Sequence, residues 1–181
     1  MNADDAARAV ETLRAALARF PKAQLGIWPT PLHRLGRLSQ SSGHGSLWIK
    51  RDDLAALGLG GNKLRNLEYL LGHALARGAD TVITSGGLHS NLCRLTAAAC
   101  ARLGLDCILV HNDDAPPVLE GNMLLSYLAG AQPVFIGRVN ESTRAAEVEA
   151  LASRLSARGR KPFVIGNGAS TPLGALGFVE A

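Results

Sequence analysis

The sequence predicts an α/β fold in which an open parallel sheet carries helices on both faces. From residue 62 onward, segments with apolar residues at helical spacing alternate regularly with short apolar runs. Repeated strand–helix units of this length build parallel sheets that are covered by helices on both sides. Glycines stand where the predicted helices should end, at Gly78, Gly104 and Gly130. The chain of 181 residues is long enough to bury the core of such a fold.

The first predicted element is an amphipathic helix over residues 4–20, which the following proline ends. Its apolar face consists of Val10, Leu13, Leu17 and Phe20. The two prolines of IWPTPLHRL then favour extended backbone. Residues 32–38 and 47–51 are predicted as strands around the turn SSGHGS, which indicates a hairpin or an edge arrangement.

The alternating part of the chain begins with a helix over residues 62–76, which Asn62 is predicted to cap. The buried face of this helix is predicted to consist of Leu64, Leu67, Leu71 and Leu75. The further predicted elements are, in order, the strand TVITS, a helix over 91–103, the strand CILVH, a helix over 121–129, the strand PVFIG, a helix over 141–157, the strand FVIG and a helix that begins within NGASTPLGALGFVEA.

Composition and charge exclude several classes of protein. With 47% hydrophobic and 19% charged residues, the chain has the balance of a globular protein and not of an intrinsically disordered one. No segment reaches transmembrane length, the net charge of +4 is spread along the chain, and aromatic residues make up only 4%. Neither a membrane nor a nucleic acid is therefore an expected partner. The amino terminus lacks the features of a signal peptide, which predicts a cytoplasmic location.

The cysteines Cys93, Cys100 and Cys107 are odd in number, which favours reduced thiols. Cys93 and Cys100 lie seven residues apart on one face of a predicted helix, a spacing that is compatible with a metal site. No CxxC pair or nearby histidine pair completes such a site. Buried thiols are therefore the favoured interpretation, and no metal is expected.

Three loops lie at the carboxyl ends of the predicted strands, where parallel sheets bind ligands. They are LGLGGNK, SGGLHSN and GNGAST. The first places Lys63 in the opening turn of a helix, whose dipole disfavours a second positive charge, and this suits an amine that attacks a carbonyl carbon. The alternative is a solvated lysine that follows a flexible turn. The loop matches neither a Walker A motif nor GxGxxG.

The second loop places two glycines before Ser90 and Asn91 at a predicted helix start. Backbone N–H groups, a hydroxyl and an amide at this position could hold a carboxylate. The alternative is simple helix capping by Ser90 or Asn91. A carbonyl-binding lysine and a carboxylate site at one sheet edge are what an amino-acid enzyme that uses pyridoxal phosphate requires.

Three segments carry a resemblance to a known family: KRDDLAALGLGGNKLRNLEYLL, SGGLHSNLCRLTAAA and GASTPLGALGFVEA. From about Trp28 to its last residue the chain resembles the family of D-cysteine desulfhydrase and 1-aminocyclopropane-1-carboxylate deaminase, which are fold-type II pyridoxal-phosphate enzymes. The resemblance implies that Lys63 carries the cofactor, that Asn91 hydrogen-bonds the cofactor ring hydroxyl, and that Ser90 contacts the substrate carboxylate or acts as a nucleophile. Family members usually have His or Gln where this chain has Leu92, so Leu92 removes a polar group from the substrate side.

The resemblance also implies a domain organisation. Residues 1–50 would belong to the larger cofactor domain, and residues 51–181 would form the small α/β domain and the start of the return to the large one. The chain would represent the amino-terminal half of the family's length. The loop for the cofactor phosphate and the partner of the pyridine nitrogen would then lie beyond Ala181, and the full-length protein is expected to be a homodimer.

The leading hypothesis is a pyridoxal-phosphate-dependent lyase or deaminase that acts on a small amino acid. With D-cysteine it would release sulfide, pyruvate and ammonia, and with an aminocyclopropane carboxylate it would open the ring. One alternative is a catalytically inactive truncated remnant that binds a partner protein. A nucleotide-binding α/β module is disfavoured because the phosphate-binding motifs are missing.

Overall fold

The computed structural model describes residues 2–43 and 45–181. The helices of these residues are α1 (Ala3–Leu17), α2 (Gly36–Ser42), α3 (Lys63–Ala76), α4 (Asn91–Leu103), α5 (Gly121–Leu128), α6 (Glu141–Ala157) and α7 (Pro172–Val179). The strands are β1 (Leu32–Arg34), β2 (Trp48–Lys50), β3 (Thr81–Ser85), β4 (Asp106–His111), β5 (Gln132–Phe135) and β6 (Pro162–Ile165). Short 3₁₀ turns precede α3 and α7.

The main sheet has four parallel strands in the order β5-β4-β3-β6. Successive residues of a strand face opposite sides of a sheet. Val82 of β3 therefore joins the apolar cluster of α3 and α4, whereas its neighbour Ile83 packs with Val148 of α6 on the other face. The predicted α/β class, with a parallel sheet and helices on both faces, is confirmed.

Local signals define the helix boundaries in this part of the chain. The predicted helices over 91–103 and 141–157 have the bounds of α4 and α6. The Ser90 hydroxyl oxygen accepts a hydrogen bond from the Cys93 N–H at 3.2 Å, and Gly104 ends α4 in the left-handed conformation with φ +68°. The predicted cap at α3 is wrong, because Asn62 has helical dihedral angles and its side chain makes no capping hydrogen bond.

The predicted strand over residues 32–38 is wrong in its second half. Only Leu32–Arg34 forms a strand, antiparallel to β2, and Gly36–Ser42 is the helix α2. The segment GRLSQSS has no β-branched residue that would favour a strand. The Ser39 hydroxyl also ties α2 to the segment before β2, because it accepts a hydrogen bond from the Leu47 N–H at 2.9 Å. His44, in the middle of the predicted turn, lies outside the described residues.

Two predicted apolar faces are less buried than the periodicity indicates. Of the four residues predicted to form the apolar face of the first helix, only Leu17 is buried; Val10 and Leu13 of α1 are exposed, as is Phe20 just after the helix. On α3 the exception is Leu75, which is 39% exposed. Periodicity identifies an apolar face but does not show whether another element covers it.

The close approach of α7 to α3 allows a test of this packing. A Cβ atom added at Gly177 would lie 2.0 Å from the Arg65 carbonyl oxygen of α3. Gly177→Ala must therefore push the helices apart, and we expect it to lower the free energy of unfolding by about 1–3 kcal/mol in urea titrations. Gly36→Ala is the matched control, because nothing lies within 4 Å of a Cβ atom added there. Equal losses in both variants would contradict the close α3–α7 packing.

Candidate active site

The three predicted loops are joined to one another at one edge of the sheet. Lys63, at the end of the first loop, donates a hydrogen bond from Nζ to the Gly168 carbonyl oxygen of the third loop at 2.6 Å. Arg94 of α4, which follows the second loop, donates from Nη2 to the Gly60 carbonyl oxygen of the first loop at 3.1 Å. The second and third loops follow β3 and β6, which are neighbours in the sheet. The site therefore lies at the carboxyl ends of the strands.

Lys63 is the first residue of α3 and is half-buried. Lys63 bonds the Gly168 carbonyl oxygen, and Asn66, one turn later in α3, donates from Nδ2 to the neighbouring Ala169 carbonyl oxygen at 3.2 Å. The start of α3 thus holds the main chain of the third loop through two side chains. Lys63 is therefore not the fully solvated lysine of the alternative interpretation.

The loop before Lys63 is strained. Leu59 and Ala56 have left-handed φ values of +67° and +70°, which cost free energy in residues other than glycine. Gly60 has φ +70°, and a Cβ atom added there would lie 2.0 Å from the Asp53 carbonyl oxygen. Strained backbone of this kind clusters at functional sites, where the surrounding structure maintains it.

Asp52 anchors this strained loop. Its carbonyl oxygen accepts a hydrogen bond from the Gly61 N–H at 2.8 Å, and its carboxylate forms an ion pair with Arg65 of α3 at 2.6 Å. The hydrogen bond from Arg65 holds the pKa of Asp52 below its usual value. The carboxylate is therefore charged at neutral pH, and it ties the loop to the helix that begins with Lys63.

Ser90 and Asn91 have different surroundings at the start of α4. Ser90 is the capping residue, so the capping alternative is correct for Ser90, although its hydroxyl proton remains available as a donor. Asn91 does not cap the helix. Its Oδ1 accepts hydrogen bonds from Asn122 Nδ2 at 3.1 Å and from Arg94 Nη2 at 3.4 Å, and its side chain is exposed.

The two glycines of the second loop differ in their surroundings, and only Gly87 leaves open space for a ligand. Nothing lies within 4 Å of a Cβ atom added at Gly87, whereas one added at Gly86 would lie 2.8 Å from the Ser90 Oγ. Beneath the loop, buried His111 donates from Nδ1 to the Gly86 carbonyl oxygen at 2.9 Å. Burial lowers the pKa of His111, so the ring is neutral and supports the loop from inside.

Leu92 lies in the core cluster with 4% of its surface exposed. Its predicted contact with a substrate stays a prediction, which this burial does not favour. The three cysteine thiols are also buried, as expected, and burial raises the pKa of Cys93 to about 11. Over residues 2–43 and 45–181 no three His, Cys, Asp or Glu side chains are grouped as metal ligands.

Sequence reasoning missed most of the side chains that support the site, among them Arg94, Asn122 and His111. One signal for Arg94 was available, because it is a single cation within the apolar helical run NLCRLTAAAC and lies three residues after Asn91. Asn122 and His111 had no comparable signal, since both reach the second loop only through the folding of the sheet.

The donors at this edge fit a planar cofactor that carries an aldehyde. Lys63 supplies a primary amine, Asn91 supplies an outward-facing amide, and Gly87 leaves the backbone open to close approach. The fold and these donors suit an α/β protein in which a lysine amine binds a carbonyl cofactor.

The chain belongs to the family of pyridoxal-phosphate-dependent enzymes, whose family model matches residues 23–181. A Pyrococcus horikoshii protein, provisionally named a 1-aminocyclopropane-1-carboxylate deaminase, is 44% identical over 167 residues, which are 92% of this chain and 50% of that protein. The D-cysteine desulfhydrase of Klebsiella pneumoniae is 44% identical over 170 residues, 91% of this chain and 51% of the enzyme. The resemblance seen in the sequence is thereby confirmed.

Solved structures of one relative and of one more distant enzyme have a similar fold. A crystal structure described as an ACC deaminase homologue superposes with a TM-score of 0.85 at 44% identity and covers 92% of this chain and 50% of that one. O-ureido-L-serine synthase, at 22% identity and a TM-score of 0.61, shares the fold; it covers 76% of this chain and 41% of that one. The chain thus spans about half the length of the curated relatives it matches.

In the part of the chain that the structure describes, no helix is both long and apolar enough to cross a membrane.

Proposed function

We propose that this chain forms the lysine-bearing part of a pyridoxal-phosphate-dependent lyase or deaminase that acts on a small amino acid. The observation that carries the proposal is the position of Lys63, whose amine is ordered by Gly168 at the sheet edge where Ser90 and Asn91 begin α4. D-cysteine and an aminocyclopropane carboxylate are the two substrates that the named relatives suggest.

The residues of the site divide the chemistry among them. When bound, pyridoxal phosphate supplies an aldehyde for the substrate amine and a ring that withdraws electrons from the substrate α-carbon. Lys63 would hold the cofactor through Nζ, and with D-cysteine, whose α-carbon carries a hydrogen, the freed Nζ would accept that proton. The Asn91 amide donates to the cofactor ring oxygen. The Ser90 hydroxyl would bind the substrate carboxylate or, with an aminocyclopropane carboxylate, attack a methylene carbon of the cyclopropane, so that the bond from this carbon to the α-carbon breaks and its electron pair passes toward the cofactor ring.

The wider organisation belongs to the same proposal. We propose that residues 1–50 are part of a larger cofactor domain and that residues 51–181 form the small domain, in a cytoplasmic homodimer. Contacts between residues 1–50 and α3 support a packing of the two regions on each other: the Leu25 N–H donates to Glu68 Oε1 at 3.0 Å, and Lys22 pairs with Glu68 Oε2 at 3.1 Å. Gel filtration of the intact protein tests the dimer.

A second candidate is a catalytically inactive interaction module. The exposed apolar side chains of the amino-terminal region, such as Val10, Trp48 and Ile49, are the observation that favours it. One experiment separates the two candidates: the chain is incubated with pyridoxal phosphate, reduced with borohydride and mapped by peptide mass spectrometry. A label at Lys63 supports the enzyme, and a label spread over surface lysines supports the module.

Variants of Ser90 and Asn91 test the division of roles in the intact protein. We expect Asn91→Ala to weaken cofactor binding about tenfold, because a hydrogen bond to the ring is lost. We expect Ser90→Ala mainly to lower turnover, with the cofactor content almost unchanged. Cofactor titration and turnover of D-cysteine and of 1-aminocyclopropane-1-carboxylate are the measurements.

Ser90→Ala also removes a helix cap, so a control for capping is needed. Asn140→Ala serves this purpose, because Asn140 caps α6 by accepting a hydrogen bond from the Thr143 N–H at 2.9 Å. It should cost similar stability and leave cofactor binding and turnover unchanged. Equal loss of cofactor in the Ser90 and Asn91 variants would contradict the roles proposed for them.

A further inference from the structure

Arg94 is buried in an unusual setting. Only 7% of its surface is exposed, and burial lowers the pKa of its guanidinium. Its hydrogen-bond acceptors among the described residues are the Gly60 carbonyl oxygen and Asn91 Oδ1, and neither is a carboxylate. Its Nη1 has no hydrogen-bond partner within residues 2–43 and 45–181. Burying a cation without a counter-charge costs free energy, so packing alone does not account for this residue.

The hydrogen bonds around Asn91 fix the orientation of its amide. Arg94 can only donate, and Asn122 must present its Nδ2, because that atom also donates to the His89 carbonyl oxygen at 2.8 Å. Two donors therefore converge on Asn91, which has to turn Oδ1 toward them. The Nδ2 group of Asn91 is left facing outward, and within the described residues no hydrogen bond uses it.

Arg94 also links Asn91 to the loop that carries Lys63. Arg94 bonds the Gly60 carbonyl oxygen of this loop, and the loop also packs on α4 directly. A Cβ atom added at Gly58 would lie 2.8 Å from the Ala98 Cβ, and one added at Gly61 would lie 3.1 Å from Leu95 Cδ1. The main chain before Lys63 therefore follows the position of α4. Arg94 lies at the junction of the two groups that the cofactor would contact.

We infer that Arg94 and Asn122 are positioning residues, which hold the Asn91 amide with its Nδ2 toward a ligand acceptor and set its spacing from the Lys63 loop. This inference rests on the proposed function, in which the acceptor is the ring oxygen of pyridoxal phosphate. The positive charge of Arg94 on the amide oxygen polarises the amide and makes Nδ2 a stronger donor. A negatively charged ring oxygen is the acceptor that such a donor favours.

The first test needs no cofactor. Nitrogen-15 relaxation of the Asn91 side-chain amide is measured in the 181-residue chain and in the variants Arg94→Met and Asn122→Ala. We expect an order parameter near that of rigid backbone, about 0.8, in the unchanged chain and a fall below about 0.6 in both variants. Arg94→Lys should restore part of the order, because lysine can still donate one hydrogen bond.

Arg144→Met is the matched control. Arg144 is 8% exposed and donates from Nη1 to Asn112 Oδ1 at 2.7 Å, so it is also a buried arginine that is bonded to an asparagine amide. The Asn91 order parameter should not change in this variant. Asn122 is partly exposed, so the variant Asn122→Ala should fold even if Arg94→Met does not. An unchanged Asn91 order parameter in Asn122→Ala overturns the inference.

The second test uses pyridoxal phosphate, with the label at Lys63 after borohydride reduction as the readout. We expect Arg94→Met and Asn122→Ala to weaken binding about tenfold, and Arg144→Met to leave it unchanged. In an Asn91→Ala background, Asn122→Ala should have no further effect, because Asn122 acts through Asn91. Additive losses overturn the inference. Failure to label Lys63 in the unchanged chain contradicts the proposed function instead, and the relaxation measurement then decides the positioning role alone.

Discussion

Replacing Lys63 with arginine is expected to abolish covalent retention of pyridoxal phosphate. Arginine keeps the positive charge at the start of α3 and can still donate a hydrogen bond to the Gly168 carbonyl oxygen, which Lys63 bonds at 2.6 Å. A guanidinium stays protonated and is not a nucleophile, so it does not form the imine with an aldehyde that a primary amine forms. Lys63→Ala should cause the same loss. The measurements are the visible absorbance of the loaded protein and the borohydride label at residue 63.

Lys50→Arg is a close control for this experiment. Lys50 is also half-buried, and its Nζ donates to the Thr30 carbonyl oxygen at 2.6 Å, as Lys63 does to Gly168. The control thus changes another hydrogen-bonded lysine, one that is not part of the proposed site. Lys50→Arg should retain the visible band in full. Persistence of the band in Lys63→Arg, or its loss in Lys50→Arg, would show that Lys63 is not the residue that holds the cofactor.

Glu68→Ala is expected to cause the largest loss of stability among the variants considered. Glu68 is buried in α3, and its Oε1 accepts hydrogen bonds from the Leu25 and Gly26 N–H groups, each at 3.0 Å, and from Trp28 Nε1 at 2.7 Å. Its Oε2 pairs with Lys22 at 3.1 Å. Truncation leaves several donors without a partner, and we expect the free energy of unfolding to fall by about 3–5 kcal/mol.

The conservative variant separates the hydrogen bonds from the charge. Glu68→Gln keeps an oxygen for the three N–H donors and loses the ion pair with Lys22, where it places an amide NH2 in place of the carboxylate oxygen. It should therefore cost less than Glu68→Ala, because the three N–H donors keep their acceptor. Urea unfolding measures both losses. Hydrogen exchange should also show that Glu68→Ala exposes the Leu25 and Gly26 amides before the strands of the sheet open. Similar losses in both variants would show that the charge, and not the hydrogen bonds, holds the amino-terminal segment on α3.

The dependence of the site on long-range contacts limits what a sequence can predict about it. Lys63, Ser90 and Asn91 could be singled out as candidates because each stands near glycines at a loop–helix junction, a pattern of neighbouring residues. Their partners could not. Gly168 is 105 residues from Lys63, and Asn122 is 31 residues from Asn91. Nothing in local spacing selects these residues over other glycines and asparagines of the chain.

The sequence by itself determined the α/β class, the order of strands and helices after residue 62, and the bounds of α4 and α6. These features depend on apolar periodicity, capping residues and glycine at helix ends, which act within a few residues. Only the tertiary structure decided that Leu75 is exposed and that Arg94 joins Asn91 to the Lys63 loop. Burial and hydrogen bonding across the chain depend on which elements pack together, and local propensity does not specify this.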